Sequence, residues 1–431
     1  MLKVLYINAS DGKGGAGIGG YRSFSWIKKY SQSISIEMLV RNKYSLDPFV
    51  KEVVLSPRSC LYLAKNKVSN ILKISKLSSC LQYLEKAPYS TAHIPVLTNK
   101  FFNRSNYDIL NFHWIGNRIT TIEDIGKITK PIVWKLADEW LYSGAEHYHY
   151  TADSYERCKN GYELTNRPEH ETGFDINRDT WLRKYKSWDI SNFTLISPSQ
   201  WLANRAANSR LFSNANIHVI PNAIDIKFWN SDNRHLSRKC LGLSSDDFVI
   251  SFGSLGSFND SRKGLDLIPK IMNLVWGKLM SLQPKILPRL KIISFGSFEL
   301  SFHPSIATHH SYKGMVNDDK FLRDIYKASD CYLLPSRFDN FPNTAVEAQS
   351  CGTPVFAFRV GGLPDIVNDY FSGYLFEPYA IEVFAEKLIY FILNANERNK
   401  LLDNLSTYSE FKFCPQKSAH EYSKIYHHIT S

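Results

Sequence analysis

Several signals of other protein classes are missing from this sequence. Its seven cysteines are scattered without a Cys-x-x-Cys pair, and their odd number argues against a disulfide framework or a zinc site. No window approaches the about 18 uninterrupted apolar residues of a membrane-spanning helix. The opening run, MLKVLYINAS, is too short for the apolar region of a secretory signal peptide. These absences predict a cytoplasmic protein in a reducing compartment.

Two further kinds of site are not indicated. No Asp-x-Asp pair stands at the end of a predicted strand, so we expect no bound metal, and nothing implies a resident cofactor. The formal net charge of +11 favours acidic partners such as phosphorylated small molecules or anionic lipid. The basic residues are dispersed and no recognition module occurs, so we expect no nucleic-acid partner.

What the sequence does contain is a series of apolar runs of strand length, with helical patterns between many of them. Continuous apolar strands that alternate with helices are typical of parallel sheets covered on both faces. The sequence therefore predicts an α/β protein with doubly wound parallel sheets. The runs are KVLYIN, YDILNFHW, PIVWKLAD, FTLISPS, IHVIPN, FVISFGS, LKIISFGS, CYLLPS and TPVFAF.

The length of 431 residues suits two or three domains of about 150 residues each. The character of the sequence changes near 186–216, where one set of strands ends and a second begins. We therefore predict an N-terminal Rossmann-like domain at 1–205 and a C-terminal Rossmann-like domain at 206–408. The final segment, 409–431, is predicted to be helical and could return to the first domain.

A glycine-rich loop, NASDGKGGAGIGGYRSF, follows the first strand. Gly12, Gly14 and Gly17 allow a G-x-G-x-x-G interpretation, but no ribose-binding acid follows a clear second strand. A helix is expected from about Gly20, and its start would favour negative charge. Arg22 could then reach a phosphate. The alternatives are a flexible turn, because glycine is the usual residue for positive φ, and a solvated arginine.

A similar arrangement recurs in FGSLGSFNDSRKGLDLI, where Arg262 and Lys263 precede Gly264 at a helix start. Arginine as a planar fork and lysine as a point charge suit a diphosphate. The alternative is an ordinary solvated pair of basic residues.

The stretch RFDNFPNTAVEAQSCG follows a buried strand and places Asp339 in a loop and Glu347 about one turn inside a helix. Carboxylates accept hydrogen bonds from neighbouring hydroxyls, so one could bind a sugar and the other a ribose. The backbone N–H groups of Asn343 and Thr344 at the helix start suit a phosphate. Alternatively, Glu347 forms a cap or an ion pair within its own helix.

This block resembles the acid-x7-acid signature of the retaining glycosyltransferases of family 4, which have the GT-B fold. That resemblance implies two Rossmann-like domains with a cleft between them, and a sugar-nucleotide donor. The branch that builds exopolysaccharide and O-antigen is the most similar, as ISPSQWLANRAANSRLF also suggests. Further similar motifs are VIPNAID, RKG, YKGMVND, LRDIYKASDCYLLPS and the N-terminal GGA.

The resemblance assigns the donor contacts. Glu347 would bind the nucleotide ribose, and Asp339 would hold hydroxyls of the donor sugar. Lys263 and Arg262 would neutralise the diphosphate leaving group. The remaining donor-site residues that it implies are Gly15 at the phosphates and acceptor, Val316 at the base, and Asn340 and Phe341 through their backbone.

The chain also departs from the family pattern. Asp339 stands where the family usually has glutamate, and Pro342 stands where glycine is usual, which removes an N–H donor. Ala137 occupies the place of a histidine that contacts the donor sugar. Candidates to replace it are Asp138, which follows directly, and the histidines His113, His147 and His149. For His113 a satisfied loop histidine is the alternative.

Two segments are open to more than one interpretation. Residues 57–86 hold six Lys or Arg against one acid, with apolar residues at helical spacing. This pattern fits a helix on an anionic membrane or an ordinary surface helix packed on the first sheet. Residues 150–188 are polar, aromatic and without clear pattern, and could form a lid or an acceptor-binding insertion.

These features together predict a metal-independent glycosyltransferase that moves a sugar from a nucleotide-diphosphate sugar to a glycan or lipid-linked oligosaccharide. The enzyme would serve bacterial surface polysaccharide synthesis in the cytoplasm, with peripheral contact at the inner membrane face as an option. The alternatives are a GT-B sugar-nucleotide epimerase and a catalytically impaired relative, which the alanine at 137 makes conceivable.

Overall fold

The computed structural model describes residues 1–53, 89–93, 96–116, 119–169, 171–254 and 260–431. The basic stretch 57–86 therefore lies outside the described residues. The chain divides into two compact units. The first comprises Met1–Asn222 with Gln416–Ser431, and the second comprises Ala223–Pro415.

Within its described residues the first unit contains a seven-stranded sheet in which every pairing is parallel. Its strands are β1 (Leu2–Ser10), β2 (Ile34–Asn42), β3 (Val50–Glu52), β4 (Ile109–Phe112), β5 (Ile132–Lys135), β6 (Phe193–Ser197) and β7 (Asn216–Val219). Their order across the sheet is β3-β2-β1-β4-β5-β6-β7. The chain thus reverses its direction of winding between β1 and β4, where doubly wound sheets bind ligands.

Helices connect these strands. In the parts of the first unit that the structure describes, the helices before the boundary are α1 (Gly14–Tyr30), α2 (Asn99–Arg104), α3 (Ile122–Ile125), α4 (Ala152–Asn160), α5 (Ile176–Ser187) and α6 (Gln200–Ala207). Helix α1 begins six residues before the predicted Gly20, directly after an extended Lys13. The segment 150–188, which showed no pattern in the sequence, contains α4 and α5, and each begins with a side-chain cap, at Thr151 and Asp175.

In the described part of the second unit, a six-stranded sheet is again wholly parallel. Its strands are β8 (Phe248–Ser254), β9 (Leu290–Gly296), β10 (His310–Tyr312), β11 (Cys331–Leu334), β12 (Val355–Phe358) and β13 (Gly373–Phe376). The order β10-β9-β8-β11-β12-β13 repeats that of the first unit, with the change of direction between β8 and β11.

The helices of the second unit cover this sheet, and a last helix returns to the first unit. They are α7 (Arg234–Cys240), α8 (Ile268–Leu282), α9 (Pro304–Ala307), α10 (Asp319–Ala328), α11 (Asn343–Ser350), α12 (Ile381–Leu393) and α13 (Ala395–Lys412), followed by α14 (Pro415–His428). In the described residues, every helix is too short or too polar to cross a membrane.

Successive side chains of a strand enter apolar clusters on opposite faces of the sheet, so both sheets are buried on two faces. In β1, Leu5 and Ile7 join one apolar cluster, whereas Val4 and Tyr6 join another on the opposite face. The second sheet divides in the same way, with Ile250 in one cluster and its neighbour Val249 in the other. Since successive side chains of a strand point to opposite faces, apolar runs without alternation produce this double core.

The observed boundary between the units differs from the predicted one at 205/206. Strand β7 pairs with β6 from Thr194–Asn216 to Ser197–Val219, so residues 206–222 complete the first sheet. The C-terminal helix α14 belongs to the first unit as well. The phenolic hydroxyl of Tyr426 on α14 donates a hydrogen bond to Asn111 Oδ1 at 2.9 Å. The carbonyl of Ala419 on the same helix accepts a hydrogen bond from Ser31 Oγ at 3.2 Å.

Lys135 at the end of β5 is an unusual member of the first unit's core. Its side chain is 1% exposed, and Nζ donates to Ser23 Oγ on α1 at 2.5 Å. Burial lowers the pKa of Lys135 from 10.5 to about 7. Desolvation disfavours the ammonium form, so the lysine becomes neutral in the folded protein at a pH where an unfolded chain still holds the proton.

This shift makes a pH dependence of stability testable. Between about pH 7 and pH 10 the unfolded state binds more protons at Lys135, so its contribution to stability rises by about 1.4 kcal/mol per pH unit. We expect Lys135→Met to lose this slope between about pH 7.5 and 9.5 in urea unfolding, where lysines of ordinary pKa titrate little. Lys100→Met, at an exposed position on α2, is the matched control. Parallel stability curves for the wild type and Lys135→Met would contradict the assignment.

Candidate functional site

The second unit brings its predicted donor residues to one edge of its sheet. Strands β8 and β11 are neighbours, so the loops that follow them meet at the change of winding direction. Lys263 lies on the first loop and Asp339 on the second, and Lys263 Nζ is 2.6 Å from Asp339 Oδ2. The pair is mostly buried, with the side chains 25% and 11% exposed. The two residues, 76 positions apart in sequence, form an ion pair at the place where this sheet type binds ligands.

Arg262, beside Lys263, also has an anionic partner. Its Nε and Nη2 donate to the two carboxylate oxygens of Asp260 at 2.8 and 2.7 Å. Its backbone carbonyl accepts hydrogen bonds from the N–H groups of Arg337 and Phe338, which ties the two loops together. Each predicted diphosphate-binding cation thus contacts a carboxylate.

Two glycines with left-handed backbone allow these loops to approach closely. A Cβ at Gly264, where φ is +62°, would lie 1.8 Å from the carbonyl oxygen of Pro335. A Cβ at Gly361, where φ is +56°, would lie 1.8 Å from the carbonyl oxygen of Asp339, which accepts the N–H of Gly362 at 3.0 Å. Any side chain at either position would displace the Lys263 or Asp339 loop.

Helix α11 starts beside Asp339. Pro342 is its N-cap residue and supplies no side-chain hydrogen bond, so Asn343 and Thr344 form a first turn without a side-chain cap. Asn340 and Phe341 just before it are 6% and 7% exposed. The start of a helix carries partial positive charge and N–H donors, which suits an anionic group.

Glu347 lies one turn further along α11 and is only 5% exposed. Tyr326 on α10 donates its hydroxyl to Glu347 Oε2 at 3.4 Å. Burial raises the pKa of Tyr326 well above its ordinary range, so the hydroxyl remains a donor. Val316 is buried in the same apolar cluster as Phe341 and Ala345. The acid-x7-acid motif does not indicate Tyr326. This tyrosine lies 21 residues before Glu347, and no residue near Glu347 marks it as a hydrogen-bond partner.

In the first unit, His113 follows β4 and links two segments. Its Nδ1 lies 3.1 Å from the carbonyl oxygen of Lys135, and its Nε2 lies 3.0 Å from that of Ala16 in the first turn of α1. Burial and the charge of Lys135 lower the pKa of His113 to about 3, although both carbonyl contacts favour a protonated ring. A neutral ring carries one N–H, so His113 donates to one of these two carbonyls, and its other nitrogen lies beside the second.

The other predicted residues of α1 are more open. Gly15 lies in the first turn of the helix, and a Cβ there would meet no atom within 4 Å. Arg22 lies two turns along and is partly exposed. Between them, a Cβ at Gly20 would come within 2.4 Å of Asn8 Nδ2, so this glycine lets α1 pack on β1.

Asp138 and His147 form a buried pair beyond the end of β5. His147 Nδ1 is 2.5 Å from Asp138 Oδ2, and His147 Nε2 is 2.7 Å from Ser90 Oγ. The indole N–H of Trp114 donates to Asp138 Oδ2 at 3.0 Å. Burial raises the pKa of Asp138, but His147, the Trp140 N–H and the Trp114 N–H together lower it below its ordinary value.

The residues that the sequence missed here are Ser90 and Trp114. Ser90 lies 57 residues before His147, and no motif connects the two. Within the described residues no group of three or more His, Cys, Asp or Glu side chains could hold a metal ion.

One protein-family model matches part of the chain. Residues 299–406 match the family model of the glycosyl transferases group 1. This range includes Val316 and the segment from Asp339 to Glu347, and it excludes Arg262, Lys263 and the first unit.

Among curated relatives, a D-inositol 3-phosphate glycosyltransferase from Segniliparus rotundus is 30% identical over 174 residues. The match covers 38% of this chain and 37% of the relative. The chain thus spans less than half the length of the curated relatives it matches.

Solved structures match along nearly the full chain. Sucrose-phosphate synthase from Thermosynechococcus elongatus aligns with a TM-score of 0.65 at 14% identity, covering 100% of this chain and 99% of that one. HepE from Anabaena, solved with UDP-glucose, aligns with a TM-score of 0.59 at 16% identity and covers 99% of each chain. The chain therefore has the two parallel α/β units of the GT-B fold, and its residues 299–406 match the group 1 glycosyltransferases.

Proposed function

We propose that the protein is a retaining glycosyltransferase of family 4, which moves a sugar from a nucleotide-diphosphate sugar to a hydroxyl of a glycan or lipid-linked glycan. The observation that carries this proposal is the Lys263–Asp339 ion pair beside the loops that follow β8 and β11, next to the start of α11. It supplies a cation for phosphate and a carboxylate for hydroxyl groups side by side, which are the two recognition elements of a sugar nucleotide.

The two ion pairs of the candidate site could exchange their carboxylates for the phosphates of a ligand. An incoming diphosphate would take over Lys263 from Asp339 and Arg262 from Asp260. Asp339 would then be free to accept hydrogen bonds from donor-sugar hydroxyls. Both cations have carboxylate partners, so neither is a buried charge without compensation.

The remaining donor roles are proposed from the resemblance to family 4 glycosyltransferases. The first-turn N–H groups of Asn343 and Thr344 would bind phosphate, with the backbone of Asn340 and Phe341 beside the sugar. Glu347 would accept hydrogen bonds from the ribose, and Val316 would lie near the base.

The first unit would contribute to the acceptor and the reacting sugar. Gly15 and Arg22 on α1 are the candidates for the phosphates and the acceptor, since a Cβ at Gly15 would meet open space. Asp138, which His147 contacts through Nδ1, is favoured over His113 for a sugar contact, because both ring nitrogens of His113 face backbone carbonyls. These contacts would compensate for alanine at 137.

The chemistry would depend on charge and position. The cations and the helix start would stabilise the negative charge on the leaving diphosphate, and the acceptor hydroxyl would attack on the face that the diphosphate leaves. Neither a metal ion nor a cofactor is assigned to this reaction.

The acceptor and location follow from the family branch. Sequence similarity to the exopolysaccharide and O-antigen branch supports a surface polysaccharide acceptor, used in the cytoplasm at the inner face of the membrane. A second candidate acceptor is a phosphorylated polyol, because the curated relatives are named D-inositol 3-phosphate glycosyltransferases.

The donor site can be tested by nucleotide binding. We expect Lys263→Ala and Glu347→Ala each to weaken the binding of UDP or GDP by about tenfold to a hundredfold, the effect of losing one hydrogen bond to a charged group. Isothermal titration calorimetry measures this directly. Lys285→Ala and Glu386→Ala change the same residue types at exposed positions and should bind as the wild type does. Normal binding by both site variants would refute the donor assignment.

The reaction itself can be tested with UDP-glucose and GDP-mannose in the presence of EDTA. We expect release of nucleoside diphosphate that increases with acceptor, and a product whose anomeric configuration, read by proton NMR, equals that of the donor. A changed sugar without diphosphate release would indicate an epimerase. Inverted configuration would contradict the retaining mechanism, and binding without any turnover would indicate an impaired relative.

A further inference from the structure

Arg337 lies in the loop after β11 and joins it to the loop after β8. Its Nη1 donates to the carbonyl oxygen of Ser261 at 2.8 Å and to Asp266 Oδ1 at 2.6 Å. Its Nη2 donates to Asp266 Oδ2 at 2.6 Å, so the guanidinium and the carboxylate form two parallel hydrogen bonds. The backbone N–H of Arg337 donates to the carbonyl oxygen of Arg262 at 2.6 Å. One residue therefore contacts the neighbouring loop through its side chain and its backbone.

The segment that Arg337 contacts, residues 260–267, is called the cation loop here because it carries Arg262 and Lys263. It consists of two short 3-10 turns, Ser261–Lys263 and Leu265–Leu267, on either side of Gly264. Short 3-10 turns have poorer hydrogen-bond geometry than an α-helix and are weakly stabilised by their own backbone. Contacts with the loop after β11 therefore have to fix the position of the two cations.

A second ion pair, Lys263–Asp339, joins the same two loops at 2.6 Å. In the proposed function the incoming diphosphate takes Lys263 from Asp339, so this pair is released when the donor binds. The guanidinium of Arg337 is matched by the two oxygens of Asp266, the geometry in which arginine binds a carboxylate best. The Arg337–Asp266 pair therefore remains to hold the loops together in the donor complex.

The surroundings of the Arg337–Asp266 pair indicate a role in geometry rather than in overall stability. The side chains of Arg337 and Asp266 are 23% and 53% exposed, and partly exposed ion pairs contribute little to folding. The hydrogen bonds and charge of Arg337 lower the pKa of Asp266, so the carboxylate stays ionised at neutral pH. The ring centre of Tyr379 lies 5.9 Å from the guanidinium carbon, close enough for a cation–π contact. Substitutions in this pair should therefore leave the second unit folded.

We propose that Arg337 is a positioning residue of the donor site, which acts through Asp266. It holds the cation loop at the spacing at which Arg262 and Lys263 meet a diphosphate, and it does not bind the nucleotide itself. The inference rests on the proposed function, and it adds a residue to which the acid-x7-acid motif gives no role.

A double-mutant cycle on nucleotide binding tests this role. Isothermal titration calorimetry is carried out on Arg337→Gln, Asp266→Asn and the double variant, with UDP or GDP, whichever the wild type binds more tightly. Each single variant should bind about threefold to fivefold more weakly, the range of a partly exposed ion pair. The double variant should bind no more weakly than the weaker single variant, because both substitutions remove the same contact.

The matched controls are Arg289→Gln and Asp246→Asn. They change the same residue types in a pair 3.9 Å apart, just before β9 and β8, at the opposite edge of the sheet. Both should bind the nucleotide as the wild type does.

The matching nucleoside, uridine or guanosine, separates positioning from a general loss of structure. It carries no phosphate, so its affinity, measured by saturation-transfer difference NMR, should be equal in the wild type and the variants. Equal weakening of nucleoside and nucleotide would overturn the inference. So would nucleotide binding by Asp266→Asn that is unchanged or tighter, since Arg337 would then contact the phosphate directly.

Hydrogen–deuterium exchange without nucleotide reports on the cation loop itself. Residues 260–267 should exchange about threefold to fivefold faster in Arg337→Gln and Asp266→Asn than in the wild type, because local opening becomes easier by the same factor. Unchanged exchange in both variants would refute the inference, and normal UDP or GDP binding would then leave the proposed donor site intact. A wild type that binds neither nucleotide would instead refute the proposed function, while the exchange rates would still decide whether Arg337 holds the loop.

Discussion

The ion pair between Lys263 and Asp339 is the interaction on which the candidate site depends. The sheet order places β8 beside β11 and sends the chain in opposite directions from them, so their following loops meet at one edge. Each loop brings one charge of the pair, and backbone hydrogen bonds from Arg337 and Phe338 to Arg262 hold the loops together. The side chains remain 25% and 11% exposed, so the attraction is partly screened by water. Because water screens the pair, Lys263 can leave Asp339 for a ligand at a modest cost in free energy, as a ligand-binding cation must.

The six strands of the second sheet follow the order of the first six strands of the first sheet. The two units differ in the side chains that lie beyond the carboxyl ends of the central strands. In the second unit the loops at that edge carry charged side chains, and two left-handed glycines let them approach. In the first unit, the ring of His113 contacts backbone carbonyls of Lys135 in β5 and Ala16 in α1. Asp138, His147 and Ser90 lie beyond β5, beside a cavity of about 10 Å³.

The fold could be predicted from the sequence because apolar runs without alternation occur only where both faces of a strand are covered. The site could be predicted in part, since Asp339 and Glu347 follow a buried strand at a spacing that matches a known motif. Pairings between distant residues are not visible in the sequence, because Tyr326 and Ser90 acquire their partners, Glu347 and His147, through tertiary packing. The predicted start of α1 is six residues too late, because five glycines in its first two turns weaken the helical signal. In 150–188 the polar composition hid two helices that begin with side-chain caps.

The most direct measurement of the central claim is a crystal structure of the protein with UDP. The account predicts a phosphate oxygen within hydrogen-bonding distance of Lys263 Nζ, with Asp339 released from the lysine and the ribose against Glu347. A nucleotide bound elsewhere, with the 2.6 Å Lys263–Asp339 pair intact, would contradict it.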